Sequence, residues 1–290
     1  MSMYSHPVRS LSAQPFEVPL APVTTTLLTG ASSGIGLEMA RLLAARGHRL
    51  VLVSRGADRL HAVAESLQQA HGCEVFPLAI DLSEPGASQR LFDETCRLRL
   101  DIDMLVNNAG FGMVEEHVAI DPERLQRMLQ LNIVAVAELC HRFGAQMKHR
   151  GSGRILNIAS AAAYQPTPYF GAYGASKAFV LNFSEALAKE MEDFGVSVSC
   201  LSPGPTATAF FDEVDPRRIA GGHHFGVASR ADPGAVARAG IELMLSGGMS
   251  RVVGLGNQVL VFANRFAPRA MVAALSERLL RPLDPERKPA

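Results

Sequence analysis

Tyr173 and Lys177 stand four residues apart, in the segment Tyr173-Gly174-Ala175-Ser176-Lys177. Residues at this spacing share one face of a helix, so we expect the phenol and the ammonium group to be neighbours. A free phenol has a pKa of about 10, and a fixed positive charge beside it favours the ionised form. The pair could therefore exchange a proton with a bound molecule. The same spacing also occurs on ordinary solvated helix faces, so this interpretation depends on the rest of the chain.

Apolar runs and amphipathic stretches, which would position this pair, alternate along the chain. The predicted strands are Thr25 to Leu28, Arg49 to Val53, Val75 to Ile80, Met104 to Val106, Arg154 to Ile158, Val196 to Leu201 and Arg251 to Gly254. The predicted helices are Ile35 to Arg46, Ala57 to His71, Leu125 to Arg150 and Tyr173 to Phe194. Continuous apolar strands separated by helices are typical of a parallel sheet covered on both faces. We therefore expect an α/β fold with a single doubly wound parallel sheet of the Rossmann type, flanked by helices.

Three parts are expected along the chain. Residues 1–22 mix proline, serine and charge without periodicity and are interpreted as an N-terminal arm. Residues 23–256 would form the Rossmann-type catalytic domain, and residues 257–290 a C-terminal extension. Residues 205–233 are irregular and follow a strand late in the chain, which predicts a substrate loop at the carboxyl edge of the sheet.

The C-terminal extension contains two apolar stretches, Gln258 to Ala263 and Ala270 to Leu280, punctuated by arginines. This pattern predicts two short amphipathic helices. Apolar faces with flanking arginines can lie on a membrane surface. We favour the alternative that the helices cover the substrate cleft or an oligomer interface.

The composition of the chain fits a globular protein. Hydrophobic residues make up 48% of the 290 residues, and 28 basic side chains balance 28 acidic ones. Because the chain has neither a basic excess nor any tryptophan, we expect no nucleic-acid partner.

The cysteines and the N-terminal residues indicate the cellular location of the protein. The four cysteines, Cys73, Cys96, Cys140 and Cys200, form no CxxC pair, which fits a reducing compartment and argues against a zinc site. Residues 1–21 have no unbroken apolar core, and no run approaches the ~20 apolar residues that span a bilayer. We therefore expect a cytoplasmic protein.

A glycine-rich segment joins the first predicted strand to the first predicted helix. From residue 27 to residue 36 it reads Leu-Leu-Thr-Gly-Ala-Ser-Ser-Gly-Ile-Gly, with glycines at Gly30, Gly34 and Gly36. Small residues let the backbone approach a pyrophosphate, and the helix N-terminus offers N–H groups and a positive dipole end. An ordinary Gly/Ser turn has the same composition, but the strand–turn–helix context favours a dinucleotide site.

The end of the second predicted strand bears on the choice of dinucleotide. A protein that selects NAD carries an acid there for the ribose hydroxyls. This chain has Ser54 followed by Arg55, which suits a 2′-phosphate because arginine forms charge-assisted contacts with phosphate. We predict NADP(H) as the preferred cofactor, with NAD(H) as the alternative. Arg59 could help to bind the 2′-phosphate and Asp58 could oppose its binding. Arg55 could also be an ordinary solvated charge.

Six motifs together resemble those of the short-chain dehydrogenase/reductase family. They are Thr29-Gly30-x-x-x-Gly34-x-Gly36, Asn107-Asn108-Ala109-Gly110, Asn132, Ser160, Tyr173-x-x-x-Lys177 and Pro203-Gly204. The motifs occur in the family's order and spacing, and the resemblance covers roughly residues 25–254.

The resemblance implies catalytic roles for four residues. Tyr173 would be the general acid or base, and Lys177 would lower the pKa of Tyr173 and hold the nicotinamide ribose. Ser160 would polarise and position the substrate oxygen, so Ser160 and Tyr173 would bind the substrate. Asn132 would support a water chain that returns protons to the site.

The resemblance also implies a cofactor-binding set. The expected residues are Gly30, Ser32, Ser33, Gly34, Ile35, Gly36, Ser54, Arg55, Asp81, Leu82, Asn108, Ala109, Gly110, Tyr173, Lys177, Pro203, Gly204 and Thr206. Asp81 and Leu82 would bracket the adenine ring, and Pro203, Gly204 and Thr206 would flank the nicotinamide. Asn107 is expected to tie the central strands together instead.

No motif fixes the substrate-binding residues. After Ser160 come three alanines that leave space, and an apolar wall could be formed by Tyr164, Pro166, Tyr169, Phe170, Phe210 and Phe211. This lining favours a lipophilic ketone or aldehyde over a sugar. His223 and His224 are interpreted as solvated side chains, so no metal is expected.

We therefore expect an NADP(H)-dependent oxidoreductase that interconverts a carbonyl and an alcohol on a small lipophilic molecule. The alternatives are an NAD-dependent alcohol dehydrogenase and a non-catalytic dinucleotide sensor on the same fold. The resemblance further implies a homodimer or homotetramer.

Overall fold

The computed structural model describes residues 23–208 and 230–282, and the fold is built from strands and helices in alternation. The strands are β1 (Thr25–Thr29), β2 (Arg49–Ser54), β3 (Val75–Ala79), β4 (Met104–Asn107), β5 (Gly153–Ile158), β6 (Val196–Ser202) and β7 (Ser250–Val252). The helices are α1 (Gly34–Ala44), α2 (Ala57–His71), α3 (Ala87–Arg97), α4 (Pro122–Leu129), α5 (Ala135–Arg150), α6 (Gly171–Met191), α7 (Pro233–Ser246), α8 (Leu255–Ala263) and α9 (Arg269–Leu280).

The seven strands form one parallel sheet in the order β3-β2-β1-β4-β5-β6-β7. Successive strand residues point to opposite faces, so Leu27 enters one buried cluster and Leu28 enters the other. Helices cover both faces, which confirms the predicted doubly wound architecture. The strand order reverses between β1 and β4, and open α/β sheets bind ligands at this switch point, beyond the carboxyl ends of the strands.

A buried polar chain ties the central strands together. The Asn107 amide donates to Asn157 Oδ1 at 2.8 Å, and the Asn157 amide donates to Ser184 Oγ at 2.9 Å. The contacts join β4, β5 and α6 beneath the carboxyl edge. This confirms the structural role expected for Asn107.

Two helices, α3 and α7, were absent from the predicted elements. The α7 helix begins at an Asp-Pro pair that is a start signal, because Asp232 accepts a hydrogen bond from the backbone of Ala235 at 2.8 Å and Pro233 occupies the first turn. Gly247 ends the helix in the left-handed conformation. This signal occupies the last two positions of the predicted loop 205–233, so the end of that loop is wrong: Asp232 caps α7 and Pro233 is already helical.

The single helix predicted from Leu125 to Arg150 is wrong in one respect. The structure has α4, then a π turn over Gln130–Val134, and then α5. Hydrophobic periodicity does not distinguish a π turn from an α-helix, because the apolar positions continue through it.

The C-terminal extension forms the two helices that were predicted, α8 and α9. Val272, Ser276 and Leu280 form the buried side of α9. The N-terminal arm and residues 209–229 lie outside the described residues, so the arm and most of the substrate loop stay predictions.

Candidate active site

The glycine-rich turn passes from β1 into α1 at the switch point. Gly30 and Gly34 have φ angles of +67° and +55°, which favour glycine. Gly36 packs beneath the turn, where an added Cβ would lie 2.2 Å from the Gly30 carbonyl oxygen. The turn therefore depends on glycine for its conformation and its tight packing.

The N-terminus of α1 is free to receive an anion. Ser33 precedes the helix without capping it through its side chain, and the first turn contains no acidic residue. Unsatisfied N–H groups and the positive end of the helix dipole therefore face the cavity, an arrangement that suits a phosphate.

The end of β2 contributes Ser54 and Arg55 to the same cavity. Ser54 Oγ is buried without a hydrogen-bond partner, and such atoms are rare unless a ligand or water completes them. Arg55 and Arg59 are exposed at the rim, and neither guanidinium forms an ion pair within residues 23–208 or 230–282. The carboxylate of Asp58, which would oppose a phosphate, does not line the cavity.

Asp81 and Leu82 follow β3 and also line the cavity. Asp81 accepts hydrogen bonds from the Ser83 backbone and hydroxyl and forms an ion pair with Arg127 at 2.7 Å. Partial burial of Asp81 acts to raise its pKa, but the Ser83 hydrogen bonds and the Arg127 charge outweigh it and lower the pKa. The carboxylate therefore stays ionised and fixed in orientation.

The segment after β4 crosses directly over the glycine turn. The Asn108 amide donates to the carbonyl oxygens of Thr29 and Gly30, at 3.0 and 3.2 Å. Thr29 Oγ1 accepts from the backbone N–H groups of Asn108 and Ala109. Asn108 therefore holds the two strand ends together, and it lines the cavity with Ala109 and Gly110.

Tyr173 lies in the first turn of α6, facing the cavity, and is 8% exposed. Burial raises the pKa of Tyr173 to about 12, against a smaller opposing effect of a hydrogen bond with Ser160. Lys177 is not among the causes of this shift, and in the protein alone the loss of hydration around the phenol places the pKa of Tyr173 above its usual value.

Ser160 ends the segment that follows β5. Its hydroxyl accepts from the backbone of Ala162 at 3.1 Å, which caps a short 3-10 helix over Ala161–Tyr164. The cap fixes the hydroxyl beside Tyr173, and both residues line the cavity.

Lys177 lies one turn after Tyr173 and is 5% exposed. Its ammonium group donates to the Ile158 carbonyl oxygen at 2.8 Å, at the end of β5, and lies 5.8 Å from the centre of the Tyr173 ring. Burial lowers the pKa of Lys177 to about 8. At neutral pH most of the population therefore carries the positive charge next to the phenol.

Asn132 sits inside the π turn and does not line the cavity. It is fully buried, its Oδ1 accepts from the Phe111 backbone, and its Nδ2 donates to the Phe111 carbonyl and to Ser176 Oγ. A Cβ on Gly110 would lie 3.0 Å from Asn132 Oδ1 and 3.3 Å from Lys177 Nζ. Asn132 therefore lies behind the cavity wall, one layer from the lysine.

Pro203, Gly204 and Thr206 follow β6 and line the opposite wall. A Cβ on Gly204 would lie 2.1 Å from Asn257 Nδ2, so α8 packs directly against this glycine. Asn257 also lines the cavity.

These walls enclose one cavity of about 670 Å³. It collects all the predicted cofactor-binding and catalytic residues except Gly36, which supports the turn from beneath, and Asn132. An anion-binding helix end, an orphaned hydroxyl at Ser54 and a glycine cradle are the features that a dinucleotide requires.

The apolar wall differs in part from the expectation. Phe170 lines the cavity, but Tyr164, Pro166 and Tyr169 do not. Tyr164 packs against the main core, while Tyr169 adopts a φ of +63°. Phe210, Phe211, His223 and His224 lie outside the described residues.

The C-terminal extension supplies wall residues that the motifs did not indicate. Leu260 comes from α8, and Leu279 and Leu280 come from the end of α9. Asn264 donates to Gln165 Oε1 at 2.6 Å and so ties the extension to the segment after Ser160. The apolar stretches at 258–263 and 270–280 were the available signal, and the three leucines agree with the part of the preferred interpretation in which the helices cover the cleft.

Similarity to known proteins agrees with this geometry. The sequence matches the family described as short chain dehydrogenase over residues 24–218. Human 17-beta-hydroxysteroid dehydrogenase type 3 is 33% identical over 185 residues, which cover 63% of this chain and 59% of that protein. The very-long-chain 3-oxoacyl-CoA reductase of Anas platyrhynchos is 35% identical over 191 residues, with the same coverage of 63% and 59%. The chain therefore spans less than two thirds of the length of these two relatives.

A solved structure extends the similarity to three dimensions. The short-chain dehydrogenase from Sphingobium yanoikuyae in complex with NADPH matches with a TM-score of 0.73 at 30% identity, covering 84% of this chain and 94% of that one.

Proposed function

The chain belongs to the short-chain dehydrogenase/reductase family, and from this premise we propose that it is an NADP(H)-dependent oxidoreductase that interconverts a carbonyl and an alcohol on a lipophilic small molecule. The observation that carries the proposal is the placement of Ser160, Tyr173 and Lys177 in one cavity with an uncapped helix N-terminus. A protein with a purely structural role does not need acid–base groups and an anion-binding turn in one cavity.

The nicotinamide cofactor, when bound, supplies or accepts the hydride. The turn over residues 30–35 and the N-terminus of α1 would hold its phosphates, and the segments around Asn108 and Gly204 would form the walls of its site. All other steps belong to side chains of this chain.

In the reducing direction, Tyr173 would donate its proton to the developing alkoxide oxygen. Its raised pKa of about 12 keeps the phenol protonated and ready to donate at neutral pH. Ser160 hydrogen bonds with the phenol and would hold the substrate oxygen next to it, since a fixed donor is worth most where charge develops. Lys177, with a pKa of about 8, would stabilise the phenolate that remains after transfer.

Reprotonation of Tyr173 would proceed past Lys177 towards Asn132. The Asn132 amide is held by the Phe111 backbone on one side and by Ser176 on the other. This fixes the orientation of a polar group directly behind Gly110, where a relay from the lysine would pass.

Two observations support NADP(H) over NAD(H). Arg55 and Arg59 reach the cavity without an ion-pair partner in the described residues, and Ser54 leaves room where an acid would repel a phosphate. The NADPH bound by the Sphingobium enzyme agrees with this preference. NAD(H) remains the alternative cofactor.

The cavity wall supports a lipophilic substrate. Phe170, Leu260, Leu279 and Leu280 line it, so an apolar body would be buried at the end beyond Tyr173. The two relatives are named for a hydroxysteroid and a very-long-chain 3-oxoacyl-CoA, which are both large and lipophilic. We infer a ketone or aldehyde of comparable character.

A homodimer or homotetramer is part of the proposal. Phe179 and Phe183 on α6 stack at 5.5 Å between ring centres, and Phe179 is 37% exposed. An exposed aromatic pair on a long helix suits packing against a second subunit.

Replacement of Tyr173 by phenylalanine tests the enzyme function against the sensor alternative. The change removes the proton donor and preserves the ring, so turnover of a lipophilic ketone should fall by about 10²- to 10⁴-fold. Binding of NADPH, followed by nucleotide fluorescence, should persist. Tyr169→Phe is the matched control, because Tyr169 lies outside the cavity and its loss should leave turnover intact. Unchanged turnover in Tyr173→Phe would refute the proposed mechanism.

A further inference from the structure

The extension helix α8 exposes an apolar stripe on its outer side. Leu255, Val259, Phe262 and Phe266 are 80%, 68%, 59% and 76% exposed. Leu255, Val259 and Phe262 are spaced four and three residues apart on α8, which places them on one side of the helix, and Phe266 follows in the turn after the helix ends. Phe262 and Phe266 pack edge to face, with ring centres 5.3 Å apart. The stripe is therefore an ordered apolar surface.

The second extension helix, α9, repeats this arrangement. Met271 and Leu275 are each 58% exposed, four residues apart. The opposite side of the helix carries its buried residues. We call the six exposed side chains of α8, of the turn that follows it and of α9 the outer apolar face: Leu255, Val259, Phe262, Phe266, Met271 and Leu275.

The unpaired charged side chains around this face are all positive. Arg265, Arg269 and Arg278 form no ion pair within the described part of the chain. Glu277 is the single acidic residue between Leu255 and Arg281, and it is paired with Arg281. The two helices therefore combine exposed apolar side chains with unpaired guanidinium groups.

We propose that the outer apolar face binds the surface of an anionic lipid bilayer. Helices that combine an apolar face with arginines lie at the boundary between acyl chains and headgroups. Each guanidinium near an anionic leaflet adds to the attraction. Two copies of a face with unpaired arginines would repel each other, so charge complementarity favours a lipid surface over self-association.

The contact would be with the membrane surface. Of the helices in the described ranges, none has the length and apolar character needed to cross a bilayer.

The other side of the same helices faces the cavity, so contact with a membrane would bear on how a substrate enters. Leu260, Leu279 and Leu280 line the cavity, and Leu260 is also 46% exposed. A substrate dissolved in the bilayer would meet an apolar entrance. This step rests on the proposed function, whereas lipid binding itself does not.

Co-sedimentation with vesicles tests the proposal on the full chain. Phosphatidylcholine vesicles with and without phosphatidylserine are compared for the unaltered protein, for Phe262→Ser with Phe266→Ser, and for Arg269→Gln with Arg278→Gln. We expect binding to the anionic vesicles, and each double variant should weaken it by about tenfold or more. Higher salt should weaken binding of the unaltered protein as well.

The control variants carry the same types of change elsewhere on the surface. Val118→Ser with Met249→Ser removes exposed apolar side chains, and Arg46→Gln with Arg99→Gln removes exposed charges. Both should leave vesicle binding unchanged. An equal loss in the controls, or no binding of the unaltered protein to anionic vesicles, would overturn the proposal.

Two further measurements distinguish lipid binding from self-association and from the proposed enzyme function. Sedimentation velocity without lipid should give the same oligomeric state for the unaltered protein and the phenylalanine variant. If that variant dissociates instead, the face is an interface between copies and the proposal is wrong. Turnover of a water-soluble ketone without vesicles should be the same for all five proteins, so failure of lipid binding would leave the enzyme function intact.

Discussion

The ring of Phe170 lies nearly parallel to the ring of Tyr173, with centres 4.2 Å apart and 19° between the planes. Phe170 directly precedes α6, and Tyr173 is the third residue of that helix. Gly112 leaves the space for both rings, because a Cβ there would lie 2.7 Å from Phe170 and 2.8 Å from Tyr173. The stack therefore sets the plane of the phenol from which a proton would leave.

Phe170→Leu should lower the rate of carbonyl reduction by about tenfold, because loss of a stack worth about 0.5–1.5 kcal/mol lets the phenol tilt. The apparent affinity for NADPH should stay unchanged. Steady-state kinetics that separate kcat from KM check this, with Phe194→Leu as the control at a partly exposed ring beyond the C-terminal end of α6. A change confined to the KM for NADPH would contradict the role given to the stack.

The pH dependence of carbonyl reduction should follow the ionisation of Lys177. Its pKa is lowered to about 8 and that of Tyr173 is raised to about 12, so the lysine loses its proton first. The value of kcat/KM for the carbonyl substrate should be level through neutral pH and fall above pH 8, because the pH dependence of kcat/KM reports the pKa values of the free enzyme. Initial rates from pH 6 to about pH 10 check this, with circular dichroism as the control for folding. A level profile up to about pH 10 would exclude Lys177 as the titrating group.

Gly36→Ala should destabilise the protein by about 1–3 kcal/mol and abolish NADPH binding. The new Cβ would meet the Gly30 carbonyl oxygen at 2.2 Å and Asn108 Nδ2 at 2.5 Å, which are parts of the turn itself. Gly256→Ala is the matched control, because nothing lies within 4 Å of its added Cβ and alanine favours the helix there. Thermal unfolding and nucleotide fluorescence measure the two effects, and equal behaviour of both variants would refute the packing argument.

Arg55→Gln should raise the KM for NADPH by about 10- to 100-fold, because a hydrogen bond to a charged group contributes about 1.5–3 kcal/mol. The KM for NADH should change little, since NADH lacks the 2′-phosphate. Arg46→Gln, at an exposed arginine outside the cavity, is the control. If Arg55→Gln weakens both cofactors equally, the guanidinium does not select the phosphate.

Local patterns in the sequence predicted the fold and most of the site. The strand–turn–helix at Gly30 and the four-residue spacing of Tyr173 and Lys177 depend on neighbours along the chain, so they could be recognised without a structure. The doubly wound sheet followed from apolar strands that alternate with helices, and it is confirmed.

Contacts between distant segments could not be predicted in the same way. Gln165 and Asn264 are 99 residues apart and meet only after the extension has packed over the cleft. The raised pKa of Tyr173 likewise depends on burial by many segments, which sequence spacing does not report. The cytoplasmic location and the oligomeric state stay predictions.

The π turn at Gln130–Val134 makes the length of this segment as informative as its composition. A π turn holds one residue more than the α-helical turn that would join the same two helices, so removal of one residue from it would give a continuous α-helix while α4 and α5 keep their places. Met128 would then stay in the buried cluster that contains Phe170 and Tyr173, whereas side chains inside the turn would change direction and Asn132 would lose its contacts with the Phe111 backbone. A single-residue deletion here should therefore harm the site more than the fold, and sequence alignments that place a one-residue gap in this turn would keep both flanking helices in register.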